Sequence, residues 1–168
     1  LYESKEFRKI LNKVAKKLII NIQSNSYNFG YNLADKFSKG DIVSMDEAEF
    51  RLLIKDKNKE LKTLIKENLN IFKKFKILII TQGKLGAFII FEGKINYIPT
   101  IFKPKIDSTG SGDIFLTMFS VCKIFKKFSI IESSILSHLC AGLHANTLGN
   151  RFNLSVPILK KTLDSILK

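Results

Sequence analysis

Asp107-Ser108-Thr109-Gly110-Ser111-Gly112-Asp113 runs directly into Ile114-Phe115-Leu116, the start of a long apolar segment. Two glycines flanking a serine at a helix start let the backbone approach an anion closely. The N–H groups of Gly110, Ser111, Gly112 and Asp113 then point outward, with the positive end of the helix dipole behind them. Such a turn suits phosphate. The closing carboxylate is out of place in a pure anion hole, but it fits a base that takes the proton from a hydroxyl attacking phosphorus. An N-cap aspartate after a glycine turn would explain a bare Gly-x-Gly-Asp. The full seven-residue string ahead of a wholly apolar helix asks for more.

Upstream of this turn, short apolar runs alternate with helical periodicity. Residues 5–17 place Phe7, Ile10, Leu11 and Val14 at helical spacing among lysines, and Leu18 to Ile22 then reads as a strand buried on both faces. A short helix near Tyr31 to Phe37, stopped by Gly40, leads to a second strand at Ile42 to Met45. Asp46-Glu47-Ala48-Glu49 suits the first turn of a helix. Lys59 to Lys74 reads as one long amphipathic helix, followed by a strand at Ile77 to Thr81. Ala87 to Phe91 and Ile95 to Ile98 form a hairpin around Glu92-Gly93-Lys94. Past the quoted turn, Ile114 to Phe125 is apolar on nearly all sides and reads as a buried helix, with further helices at Ile130 to Asn146 and Pro157 to Leu167. The alternation predicts an α/β layered fold with a largely parallel sheet, helices on both faces and an antiparallel hairpin at one edge.

The chain has 168 residues and 45% hydrophobic content, a composition that excludes collagen, coiled coil and long disorder. Its 28 Lys+Arg against 15 Asp+Glu leave a net charge of +13, which favours partners carrying phosphate or carboxylate. No apolar stretch approaches the roughly twenty residues of a membrane span, and no signal-peptide pattern is present. Cys122 and Cys140 lie in apolar runs without metal-ligand spacing and read as buried thiols in a reducing compartment.

Asp107 to Asp113 resembles the Asp-Thr-x-Gly-Ala-Gly-Asp signature of the ribokinase-like sugar kinases, the phosphofructokinase-B type, with Ser108 for Thr and Ser111 for Ala. The resemblance implies a ribokinase-like fold and ATP-dependent phosphorylation of a sugar or sugar-phosphate hydroxyl. Asp113 falls on the catalytic base, and Gly110, Ser111 and Gly112 fall on the anion hole. It implies a monovalent cation, K⁺, near Asp107 and Thr109. Asp46 to Glu49 resembles the family's Asn-x-x-Glu motif, which organises Mg²⁺ and phosphates through water. Glu49 matches, and Asp46 replaces the asparagine, which adds a negative charge near the phosphates. Two acids favouring a helix start would be the plain explanation of that pair without the signature downstream. Thr81-Gln82-Gly83-Lys84-Leu85-Gly86 resembles the Thr-x-Gly-x-x-Gly stretch along the nucleotide, which marks Thr81, Gly83 and Gly86. Ala141 to Gly149 resembles the helix and turn beside adenine, which marks Asn146; His144 on that helix reads as a packed or surface histidine.

Asn21-Ile22-Gln23-Ser24-Asn25-Ser26, Asp46 to Glu49 and Thr147-Leu148-Gly149-Asn150 together look like the heptose-phosphate kinase branch, often fused to a nucleotidyltransferase. The resemblance covers residues 1–168 as one domain, matching only the C-terminal part of the family's fold. The chain opens at Leu1, inside an apparent helix, and the expected N-terminal part, with a Gly-Gly motif and most sugar contacts, is not visible. The expectation is therefore a cytoplasmic kinase piece that binds sugar poorly and is inactive unless another piece supplies the rest. A homodimer, or a nucleotidyltransferase domain or partner, stays open. Two other readings stand beside it: a kinase-derived binding subunit without catalysis, and a basic nucleic-acid-binding module. The lysines are spread along many helices and no nucleic-acid motif is present, which disfavours the latter.

Overall fold

Five apolar runs become the strands of one sheet: β1 (Ile19–Asn21), β2 (Gly40–Asp46), β3 (Phe75–Thr81), β4 (Gly86–Phe91) and β5 (Lys94–Pro99), in spatial order β1-β2-β3-β4-β5. The first three are parallel, with Ile20 opposite Val43 and Val43 opposite Leu78. Gln82 to Leu85 between β3 and β4 is too short for a crossover, so β4 runs back antiparallel. Glu92 (φ 50°) and Gly93 (φ 74°) then close β4 onto β5, and two successive positive φ values are the mark of a type I′ hairpin. The mostly parallel α/β sheet with an antiparallel edge hairpin is thus present as the sequence predicts.

The computed structural model describes residues 4–24, 27, 30–31, 33–101, 109–147 and 154–166. The chain forms two compact units, Leu1–Thr81 with Phe88–Tyr97, and Gln82–Ala87 with Ile98–Lys168.

In the first unit, β2 and β3 are buried on both faces and supply the core through Val43, Met45, Leu78 and Ile80. Strand β1 differs from its predicted burial. Ile19 and Asn21 are exposed and Ile20 is buried, because β1 is the edge strand of the sheet. Gly40 is no helix stop. It is the first residue of β2, where a Cβ would lie 2.9 Å from Val43 Cγ2 and 3.1 Å from Ile20 Cδ1. Asp41, beside it, accepts the Leu18 N–H at 2.8 Å and Lys76 Nζ at 2.8 Å, tying the starts of all three parallel strands. Burial pushes its carboxyl up, but the bond and charge of Lys76, the Leu18 N–H and Lys17 outweigh that and hold it below the usual carboxylate range.

Helix α1 (Lys5–Val14) is capped by Ser4 and buries no residue. Helix α2 (Glu47–Ile54) starts at a reciprocal capping box between Asp46 and Glu49 and ends at Lys55 in the left-handed conformation. The predicted helix over Lys59 to Lys74 is two pieces, α3 (Leu61–Glu67) and a 3₁₀ turn at Leu69–Phe72. Asn68 divides them by donating its side-chain amide to the Leu64 carbonyl, and Leu61, Leu64, Ile65 and Phe72 still reach the core.

In the second unit, α4 (Ser111–Ser120) continues through a π-helical turn at Val121–Phe125, and α5 (Ile130–Ala145) and α6 (Val156–Ile166) follow. Ser129 and Glu132 form a second capping box. Phe115 meets His138 edge-on at 4.8 Å, and Gly110 packs against His144, so α4 and α5 run antiparallel. The segment expected to be wholly buried is not so. Phe115, Leu116, Phe119 and Cys122 are buried, whereas Thr117, Val121 and Phe125 are exposed. Cys122 and Cys140 are free and buried as expected, and burial pushes the Cys140 thiol up to about 12.

Candidate active site

Gly110 adopts φ 77° and is the N-cap of α4, a left-handed position that glycine occupies without the penalty of a Cβ. The helix therefore begins earlier than the apolar pattern suggests, and Ser111, Gly112 and Asp113 form its first turn. Its backbone ladder opens with the Ile114 N–H bonded to the Gly110 carbonyl at 3.1 Å, so the N–H groups of Ser111 and Gly112 precede the ladder. A Cβ at Gly112 would meet nothing within 4 Å, and Gly112 and Asp113 are both exposed. The turn thus presents backbone amides and a carboxylate together at the positive end of a ten-residue helix. Ser111 Oγ is buried with no partner among the described residues.

His144 supports this turn from behind. A Cβ on Gly110 would lie 3.5 Å from its Cε1, which makes it a packing residue against the glycine. Asn146, expected near adenine, is the C-cap of α5 and donates its side-chain amide to the Gly142 carbonyl at 2.9 Å. Thr109 is exposed in the turn before α4, and Asp107 lies outside the described residues, as do Asn25, Ser26, Leu148, Gly149 and Asn150.

The two glycines after β3 have different duties. Gly86 (φ 128°) is buried, and a Cβ there would stand 2.3 Å from the Ile98 carbonyl oxygen, so tight packing requires it. Gly83 (φ 54°) is exposed with open space above it, which leaves its backbone accessible to a ligand. Thr81 ends β3 in the first unit, with its hydroxyl 3.5 Å from the Met45 carbonyl.

The acidic pair also lies in the first unit. Asp46 is exposed; its Oδ1 accepts the Glu49 N–H at 2.7 Å. Glu49 is 7% exposed, and both its oxygens are engaged: Oε1 by the Ser24 N–H at 2.6 Å and Oε2 by the Asp46 N–H at 2.8 Å. Burial raises the Glu49 carboxyl above its ordinary value and the Asp46 charge adds to this, while the two backbone N–H bonds pull the other way. The contact from Ser24, 25 residues away in sequence, leaves no local signature and was not foreseeable from it. Among the described residues no group of three His, Cys, Asp or Glu could hold a metal. Magnesium keeps several waters and needs only one or two carboxylates, so the outer oxygen of Asp46 fits it.

The sheet and its helices have counterparts among solved structures. Phosphofructokinase-2 from Escherichia coli, in complex with potassium, superposes with TM-score 0.77 at 14% identity over 100% of this chain and 53% of that one. Arabidopsis thaliana ribokinase, complexed with ribose and ATP, gives 0.71 at 19% identity over 98% and 51%. A Burkholderia thailandensis nucleoside kinase with inosine gives 0.73 at 18% over 96% and 53%. The chain therefore spans about half the length of these solved kinases. The fold class is that of the ribokinase-like kinases. Residues 5–154 match the model of the pfkB family carbohydrate kinases, and the chain belongs to that family. A comparison with curated proteins finds no match.

Proposed function

We propose that this chain is the nucleotide-binding and catalytic-base portion of an ATP-dependent kinase for a sugar or sugar-phosphate hydroxyl, with heptose phosphate as the acceptor class. The observation that carries this reading is the α4 start: a left-handed Gly110 cap, an open Gly112 and an exposed Asp113 in one turn. Asp113 takes the proton from the acceptor hydroxyl as its oxygen attacks the γ-phosphorus. The bond from that phosphorus to the β–γ bridging oxygen breaks, and ADP leaves with the electron pair. The Gly110 to Gly112 backbone donates to the oxygens of the phosphoryl group, where charge accumulates. Gly83, with Thr81 and Gly86 on either side, lies along the nucleotide, and Asn146 lies toward the base. Asp46 serves Mg²⁺ through water, with Glu49 holding it in place from behind; the ion would supply charge neutralisation on the phosphates when bound. Asp107 and Thr109 serve a K⁺ ion. The active protein is cytoplasmic and comprises this chain together with the remaining half of the fold, so this chain alone phosphorylates sugar poorly.

Asp113→Asn in the complete kinase tests the assignment. Positioned proton transfer contributes roughly 10²- to 10⁴-fold. Turnover should fall by about that factor, with Mg·ATP affinity changed by no more than about twofold. Turnover like that of the wild type would remove Asp113 from the mechanism.

A further inference from the structure

The acidic pair divides its work unequally. Glu49 is buried, and each of its carboxylate oxygens accepts a backbone N–H, one from Ser24 and one from Asp46. Those two amides belong to different stretches: Ser24 to the chain leaving β1, and Asp46 to the junction of β2 and α2. Asp46 is exposed and commits Oδ1 to the Glu49 N–H, leaving Oδ2 without a partner among the described residues. Farther along the same connection, Gly30 (φ 81°) passes close to α2, since a Cβ there would lie 3.5 Å from Leu52 Cδ2. At the point that Glu49 holds, Ser24 Oγ is buried with no partner among the described residues. A buried hydroxyl without a partner calls for an explanation, and a ligand or bound water that completes it is one.

We propose that Glu49 is a positioning residue: its carboxylate ties the chain leaving β1 to the start of α2, and so sets the Ser24 hydroxyl and the free oxygen of Asp46 where they meet the hydrated cation and phosphates of the nucleotide. The last clause rests on the kinase reading given above, and the tie itself does not. Glu49 acts through its neighbours, and Asp46 supplies the outward oxygen. The physical reason is geometric. A carboxylate offers two acceptor oxygens, which are what two converging amides need, whereas a carboxamide offers one and places an N–H₂ against the other.

Amide hydrogen exchange on the 168-residue chain, with calorimetric titration of Mg·AMP-PNP, tests both parts. In the wild type, the Ser24 and Asp46 amides should exchange slowly. Glu49→Gln should speed at least one of them by about tenfold or more, and Glu49→Ala both, while Leu78 and Ile79 in β3 stay protected as proof of folding. Ser24→Ala keeps the amide but lacks the hydroxyl; it should leave exchange unchanged and weaken Mg·AMP-PNP by about two- to tenfold, the range of one neutral hydrogen bond. Unchanged exchange at both amides in Glu49→Gln overturns the tie. Unchanged Mg·AMP-PNP affinity in Ser24→Ala overturns the positioning of the hydroxyl. A wild-type chain that binds no Mg·AMP-PNP counts against the nucleotide role of this region, and the exchange data still decide the tie.

Discussion

At Gly83 and Gly86 the same residue type meets two different physical demands. Both have positive φ, but only Gly86 has a carbonyl oxygen, that of Ile98, where its Cβ would go. An alanine at Gly83 bears the left-handed penalty of about 1–2 kcal/mol. At Gly86 it adds a collision with backbone that cannot swing aside, and the loss should exceed about 3 kcal/mol. Urea unfolding of the two alanine variants should therefore rank Gly86→Ala well below Gly83→Ala. Equal stabilities would mean that β5 shifts freely to make room. For nucleotide binding the order should reverse among folded variants, because the open backbone is at Gly83.

At the scale of an element, α5 carries a titratable group where none would be placed for solubility. His138 is 6% exposed, and burial pushes its pKa down to about 4 against the opposing hydrogen bond to the Ile98 carbonyl. The unfolded chain takes up a proton near pH 6.5 and the folded chain does not until about pH 4. The stabilising contribution is thus complete above pH 6.5, is lost as pH falls toward 4, and changes no further below that. The loss is on the order of 3 kcal/mol. His138→Phe, which keeps an aromatic ring against Phe115, should flatten that window when unfolding is followed from pH 7 to pH 4. A slope the same as that of the wild type would locate the acid sensitivity elsewhere.

The elements also show how far periodicity carries. The three parallel strands, the hairpin and a helix start at Asp46 to Glu49 were legible, because short apolar runs, a Glu-Gly turn and clustered acids are local patterns, whereas the reciprocal capping box was not read from them. The break at Asn68 was not, since its amide competes for a helix carbonyl without disturbing the apolar spacing. Nor was the edge position of β1: an Ile-rich run looks the same whether one flank or two is covered. Of the candidate site, the α4 turn was legible from its glycines, though not the residue at which the helix starts. The Ser24 to Glu49 bond and the packing of His144 on Gly110 were hidden, because both join residues far apart in sequence.

Across the whole molecule, charge and apolar exposure oppose each other. A net +13 surrounds a protein whose α1 leaves Ile10 and Val14 exposed and whose β1 adds Ile19 at the sheet edge. No described helix is long and apolar enough to cross a membrane. Electrostatic repulsion between copies reaches about 30 Å at 0.01 M salt and about 3 Å at 1 M. Light scattering should therefore find single chains in dilute buffer and growing particles as sodium chloride is raised. A constant radius across that series would show that charge is not what keeps copies apart. If the radius does grow, the lysine coat acts as a colloidal stabiliser for the bare flank of β1. Handling the protein would then call for the opposite of the usual high-salt wash, with dilute buffers during concentration and storage.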